Sequence, residues 1–225
     1  MLLLSALSAL LLAPLIRANT EKTIFSAPPP DALVLLSGLD KADPPLSILT
    51  PANATLRTHL ASAFSSADEP YGAATWIVVR DLVPGQRYEV RVCWAATEPA
   101  AFTVDTFDIP TLAASPALLP APLSISVSPS SSPPSSTLLL RILTAADYVT
   151  TNTDLRAAPP PVFADVILDA YWYNVVPQSL LPTIGVIALI APAALVLGRV
   201  LAKWIGSFAV TVYQDEEETE KKKEA

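Results

Sequence analysis

Apolar residues in this 225-residue chain form one uninterrupted run near each end, whereas the middle of the chain alternates apolar and polar positions. Residues 1–16 are almost entirely Leu, Ala and Ser. This run is too short to cross a hydrocarbon core of about 30 Å. It predicts a cleaved secretory signal peptide at 1–18. An uncleaved anchor is the alternative, because no Lys or Arg precedes the run.

The second run, residues 175–198, contains no charged side chain and is long enough to cross a membrane as a helix. It predicts a single transmembrane helix with its flanks at 175–204. Arg199 and Lys203 follow the run, and positive residues stay on the cytosolic side. We therefore expect a single-pass type I membrane protein with its N-terminus in the lumen. Residues 19–174 would form the lumenal domain and 205–225 a charged cytosolic tail.

The span has features that a plain anchor does not need. Aromatic residues at 171–173 and Trp204 flank it, as interfacial belts do. Pro192 falls inside it and predicts a kink. Small residues around it would let a second helix approach closely. A plain anchor and a partner-binding helix remain equal alternatives. For a partner, the predicted contact residues are Asn174, Pro177, Gly185, Ala191 and Pro192.

The middle of the chain has a clear β pattern. Two β-rich runs within residues 75–94 flank a Pro-Gly turn. In the second run, Tyr88, Val90, Val92 and Trp94 alternate with polar residues and Cys93. This period of two predicts a half-buried antiparallel strand.

The turn carries the spacing Leu82-x-Pro84-Gly85-x-x-Tyr88, which resembles the fibronectin type III corner. In that corner a tyrosine bonds back to the preceding connection. The resemblance implies a mainly β fold, an immunoglobulin or fibronectin III-like sandwich, with these four residues as a structural corner. A simple hairpin is the alternative.

The stretch 124–136 is rich in Ser and Pro and predicts a solvated loop. Strand candidates lie on both sides of it, and 138–168 could complete the sandwich or form a stalk. Further strand candidates are 23–25, 32–36, 56–64, 102–107 and 123–127, and 56–64 could equally be a helical turn.

Composition argues against several chemistries. The net charge of −7 offers no footprint for nucleic acid. The single histidine, His59, and the single cysteine, Cys93, have no neighbours at ligand spacing. We expect no catalytic residue, no metal site and no cofactor. Asp165 and Asp169 could hold a cation or a glycosyl-phosphate group, or could simply face water.

Two short motifs predict processing and sorting. Asn53-Ala54-Thr55 is an N-glycosylation sequon, with Asn53 as the acceptor. Lys222 and Lys223 stand third and fourth from the C-terminus, as in the dilysine signal that coat protein recognises for retrieval to the endoplasmic reticulum. An ordinary charged tail is the alternative.

Segments over most of the predicted lumenal part and at the entry to the membrane resemble the filamentous-fungal members of the GPI mannosyltransferase II co-activator family. They are residues 19–25, 88–94, 145–148 with 151–152, and 160–169 leading into 174–183. The resemblance implies a non-catalytic subunit of the endoplasmic reticulum membrane. Its partner would be the multi-span catalytic subunit that adds the second mannose during GPI-anchor biosynthesis. A cargo or quality-control receptor cycling between endoplasmic reticulum and Golgi is the alternative.

Overall fold

The computed structural model describes residues 18–30, 34–37, 46–67, 69–115, 124–127 and 136–223. The described residues up to Gln178 form one compact unit, the β-domain, and those from Ser179 onward form a second unit. Apart from Ala18, the predicted signal peptide lies outside the described residues.

Within those ranges, the β-domain contains eleven strands. They are β1 (Ala18–Ser26), β2 (Val34–Ser37), β3 (Ser47–Leu49), β4 (Thr55–Leu60), β5 (Ala73–Leu82), β6 (Arg87–Ala95), β7 (Ala100–Asp108), β8 (Ser124–Val127), β9 (Ser136–Ala146), β10 (Val162–Trp172) and β11 (Val176–Pro177).

Most of these strands belong to two sheets. In the first sheet the order is β1–β6–β10, and β4 and β11 pair successive parts of the far edge of β10. In the second sheet the order is β3–β5–β9–β7, with only the β3–β5 pair parallel. Strands β2 and β8 form a separate antiparallel pair. The mainly β prediction is confirmed, whereas the immunoglobulin or fibronectin III topology stays a prediction.

The inner faces of the two sheets share one hydrophobic core. Tyr88, Val90 and Val92 of β6 are at most 1% exposed, which confirms the predicted alternation. They pack in the same cluster as Leu140 of β9 and Val166 of β10. Burying each such side chain stabilises the fold by about 1.5–3 kcal/mol before entropy is subtracted.

The later strands complete this sandwich. Strand β9 lies between β5 and β7, and β10 lies between β6 and β4. The stalk alternative for residues 138–168 is therefore wrong. The simple hairpin is also wrong, because β5 and β6 belong to different sheets and the turn between them crosses from one sheet to the other.

The loop predicted at 124–136 needs correction at both ends, and its first end overlaps the strand candidate at 123–127, which β8 confirms over 124–127. Residues Ser124–Val127 form β8, because their alternating Ser and β-branched side chains suit a strand that pairs with β2. Ser136 already belongs to β9 and is fully buried. Residues 128–135 lie outside the described part of the chain.

A short helix that the sequence analysis did not anticipate, α1 (Ile109–Ala114), covers the outer face of the second sheet. Asp108 caps it, since its carboxylate accepts a hydrogen bond of 3.1 Å from the Thr111 N–H. Ile109 and Leu112 pack on Leu139 of β9 in a second small core. A shorter helix, α2 (Thr153–Ala157), lies in the connection from β9 to β10.

The second unit is one long helix, α3 (Leu181–Lys223), which continues through Pro192. Residues Gln178–Ser207 are long and apolar enough to cross a membrane. The predicted span begins at 175, three residues before Gln178. Residues 176–177 instead pair with β10, and Pro182 fixes the backbone angle of the first helical turn. The side chains at 182–207 are exposed.

Candidate functional site

The turn between β5 and β6, residues 83–86, is named here the corner turn. The Val83 N–H donates a hydrogen bond of 3.0 Å to the Tyr88 hydroxyl, which lies 3.1 Å from the Gln86 side-chain oxygen. Gly85 has a φ of +74°, a conformation that glycine adopts without strain. Leu82 is buried in the core and Pro84 is exposed. Tyr88 thus bonds back to the connection before it, as proposed for a corner.

A second turn, residues 173–175, joins β10 to β11 and is named here the linker turn. Tyr173 and Asn174 have φ values of +50° and +58°, which are uncommon for residues with side chains. Asn174 offsets this strain with two hydrogen bonds. It accepts one of 2.8 Å from the Arg87 N–H and donates one of 3.1 Å to the Gly85 carbonyl.

The Asn174 side chain therefore fastens the linker turn to the corner turn. Gln86 adds a third connection, because its side-chain amide donates to the Tyr171 carbonyl at 3.1 Å. Pro177, another predicted contact residue, is half-buried and pairs with Tyr171. The Asn174 side chain is exposed although it bonds within the β-domain, and its contact with a partner stays a prediction.

The outer face of the first sheet carries a buried charge network. Glu89 and Asp169 are directly opposite each other on β6 and β10, and they are 3% and 7% exposed. Arg91 lies 3.3 Å from each carboxylate, and Lys22 lies 3.3 Å from Glu89. The Tyr171 hydroxyl donates to Glu89 at 3.2 Å. Burial, and then the charge of Glu89, raises the pKa of Tyr171.

Two corrections to the sequence analysis follow from this network. Tyr171 was expected in an interfacial aromatic belt, but it is only 7% exposed and packs within the β-domain. Glu89 lies on the face that the alternation assigned to polar residues, yet it is buried. Long side chains on neighbouring strands cover it, and a single-strand pattern does not reveal cross-strand cover.

Asp165 and Asp169 do not form a joint site. They share a face of β10 but stand four residues apart, a distance of about 13 Å along a strand. Asp165 pairs with Arg57 through two hydrogen bonds of 2.7 and 2.9 Å. Hydrogen bonding to Arg57 lowers the pKa of Asp165. Each carboxylate therefore has its own arginine partner.

The remaining predicted residues are spread over the chain. Asn53 is exposed in the turn between β3 and β4. On α3, Gly185 and Pro192 are seven residues apart and therefore lie within about 20° of one another on the helix surface. Ala191 lies about 100° from Pro192, so the three do not form a single stripe. Lys222 and Lys223 are the last helical residues described, and their side chains lie outside the description.

A cleft of about 420 Å³ opens at the end of the sandwich where β10 begins. Its mostly apolar lining includes Tyr148, Leu155 and Pro160. The Glu98 carboxylate at its rim accepts a 2.7 Å hydrogen bond from the Phe163 N–H. Among the described residues, no three His, Cys, Asp or Glu side chains are grouped as metal ligands would be.

Together these features define, within the described part of the chain, a β-sandwich and one helix that is long and apolar enough to span a membrane. Residues 10–115 match the model of the family described as GPI-mannosyltransferase II co-activator. This match, over slightly less than half of the chain, supports the resemblance noted from its sequence. The match covers the β-domain from β1 to the end of α1. No curated protein and no solved structure gives a significant match.

Proposed function

We propose that this chain is a non-catalytic accessory subunit of the mannosyltransferase that adds the second mannose in GPI-anchor biosynthesis. The match of residues 10–115 to a co-activator family carries this proposal. GPI biosynthesis takes place at the endoplasmic reticulum, and α3 has the length and composition of a membrane span. The catalytic partner is a multi-span membrane enzyme that binds both dolichol-phosphate mannose and the mannosylated GPI lipid.

The arrangement of charges supports an accessory role. Glu89, Asp169 and Asp165 are each within 3.3 Å of a basic side chain. A catalytic acid or base must instead lie within hydrogen-bonding distance of the substrate group whose proton it transfers. These carboxylates are therefore better suited to holding the sheet together than to reacting with a sugar.

The lipid intermediates of the pathway test the function. Depleting the protein and labelling GPI intermediates should cause a GPI lipid with one mannose to accumulate. Restoring the chain should remove it. A normal lipid profile with a single mislocalised cargo protein would instead support a receptor that cycles between endoplasmic reticulum and Golgi.

The contact with the catalytic subunit is proposed on α3, because its apolar surface is exposed throughout the span. Gly185 has open space around it, since an added Cβ would meet no atom within 4 Å. A partner helix could therefore approach the backbone closely there. Gly185→Leu should reduce co-purification of the catalytic subunit.

Ala194→Leu is the matched control, because Ala194 lies on the opposite side of the helix from Gly185. It should leave co-purification unchanged. Ala191→Leu, between the two faces, would map the width of the contact. If the catalytic subunit still co-purifies fully with the Gly185→Leu variant, the contact belongs to the β-domain instead.

The type I orientation is tested at the sequon. Asn53 is exposed in a turn, so an oligosaccharyltransferase could reach it if this domain is lumenal. Asn53→Gln should remove an endoglycosidase-sensitive increase in apparent mass. If the wild-type chain shows no such increase in cells that glycosylate a control protein, the proposed occupancy of Asn53 is wrong.

Residence in the endoplasmic reticulum is proposed to depend on Lys222 and Lys223, through coat protein that binds the dilysine signal. Changing both residues to Ser should let the protein reach the Golgi. Changing the neighbouring Lys221 to Ser is the control and should not. Unchanged residence of the double variant would show that the signal is dispensable.

A further inference from the structure

One end of the β-domain exposes apolar and aromatic side chains from two separate parts of the chain. Val83 of the corner turn is 57% exposed. In and beside the linker turn, Trp172, Tyr173 and Val175 are 51%, 81% and 73% exposed. The rings of Trp172 and Tyr173 contact each other with centroids 4.7 Å apart. This set is named here the corner end.

Hydrogen bonds hold the two turns together at this end. Asn174 bonds to both Gly85 and Arg87, as described above. The left-handed backbone at Tyr173 and Asn174 is maintained against its conformational cost. It leaves the side chain of Tyr173 outside the domain. Fixing two turns in this way gives a surface rather than two independent loops.

The covalent chain places this surface close to a membrane. The apolar span begins at Gln178, three residues after Val175. Three extended residues reach at most about 10 Å, so the linker turn is within that distance of the start of the span. Trp and Tyr are the residues enriched at the headgroup level of a bilayer.

We propose that the corner end is a lipid-contact surface, and that the corner turn enters the interfacial layer of the bilayer. Val83 is the second anchoring point, separate from the span. Asn174 is a positioning residue, which keeps Val83 at the depth of Tyr173. The occupant is phospholipid, because the linker turn lies three residues from a segment apolar enough to span a membrane and is hydrogen-bonded to the corner turn.

The experiment uses the full chain reconstituted in phosphatidylcholine vesicles, with Cys93→Ser as the background. A single cysteine is placed by Val83→Cys, Tyr173→Cys or Val149→Cys, and labelled with a polarity-sensitive fluorophore. Val149 is the control because it is fully exposed and follows the end of β9 that is remote from the corner turn. Unchanged thermal unfolding shows that each variant is folded.

Probes at 83 and 173 should show blue-shifted emission and strong quenching by lipids that carry a shallow nitroxide. A depth of about 5–10 Å is expected for side chains at the boundary of headgroups and acyl chains. The probe at 149 should be quenched by aqueous iodide instead. Adding Asn174→Ala should reduce lipid quenching at 83 and preserve it at 173.

Two results would overturn the proposal. If the probe at 83 behaves like the probe at 149, the corner turn lies in water. If it is shielded only after the mannosyltransferase is reconstituted with the chain, the corner end contacts protein and not lipid. Lipid quenching at 83 in the chain alone supports the proposal.

Discussion

The β-domain and helix α3 differ in how far the chain itself buries their side chains. In the β-domain, Leu140 and Val166 are fully buried by the chain itself, and Glu89 is paired although only 3% exposed. In α3 the side chains at 182–207 are exposed. A substitution in the β-domain should therefore change its own stability, whereas one in α3 should change what the helix associates with. The substitutions that follow measure the stability of the β-domain, and Gly185→Ala is the comparison in α3.

The largest effect is expected from Gly72→Ala. Gly72 has a φ of +79°, and an added Cβ would lie 2.1 Å from the Thr144 carbonyl oxygen, which is backbone. Because backbone of a central strand cannot move aside cheaply, we expect a loss of about 3 kcal/mol or more in the free energy of unfolding. Denaturant unfolding of the full chain in detergent measures it.

Two other glycines are the controls. Gly85 also has a positive φ but has open space around it, so Gly85→Ala should cost only about 1 kcal/mol. Gly185 lies in α3 with open space, and Gly185→Ala should change unfolding of the β-domain by less than about 0.5 kcal/mol. Equal stability of all three variants would contradict the close approach at Gly72.

The next effect concerns two ion pairs on the same face of the first sheet. Glu89→Ala removes a buried carboxylate from Lys22, Arg91 and Tyr171, and should cost about 3 kcal/mol. Asp165→Ala removes the partner of Arg57, whose side chain is 67% exposed, and should cost less than about 1 kcal/mol.

Thermal unfolding of both variants in detergent gives the comparison. Similar small losses would mean that the network around Glu89 is no more important to stability than a surface pair. A large loss in both would mean that the Arg57 pair is less accessible to solvent than its geometry indicates.

Patterns contained within a single segment made part of this structure predictable. The alternation from Tyr88 to Trp94 predicted the inner face of β6, because only one register buries that set of side chains. The charge-free run predicted the span, since few other structures tolerate so long an apolar segment. In both cases the information is local to one segment.

The remaining features depend on contacts between distant segments. Burial of Glu89 depends on Lys22 and Tyr171, which are far away in sequence. The role of Asn174 depends on Gly85, 89 positions earlier. Helix α1 has only six residues, and it is stabilised by packing on Leu139 of β9. One sequence without its fold does not show which distant residues meet.

A smaller effect is expected at the corner turn. Tyr88→Phe keeps the buried ring but removes the hydroxyl that accepts the Val83 N–H. The loss should be about 1 kcal/mol, the typical net value of one hydrogen bond. Tyr173→Phe is the control, because Tyr173 is 81% exposed, and it should leave the unfolding midpoint unchanged. Identical midpoints for both variants would mean that the corner hydrogen bond does not stabilise the turn.

The smallest effect is a pH dependence carried by Asp165. Arg57 lowers the pKa of Asp165 in the folded protein below its value in the unfolded chain. The unfolded chain therefore binds the proton more readily, and stability is lost as pH falls below about 4. Asp165→Asn should be less stable than the wild type by less than about 1 kcal/mol at pH 7, and this difference should shrink toward pH 3. Unfolding measured across that range tests it, and a difference that stays constant with pH would mean that Asp165 acts through packing rather than charge.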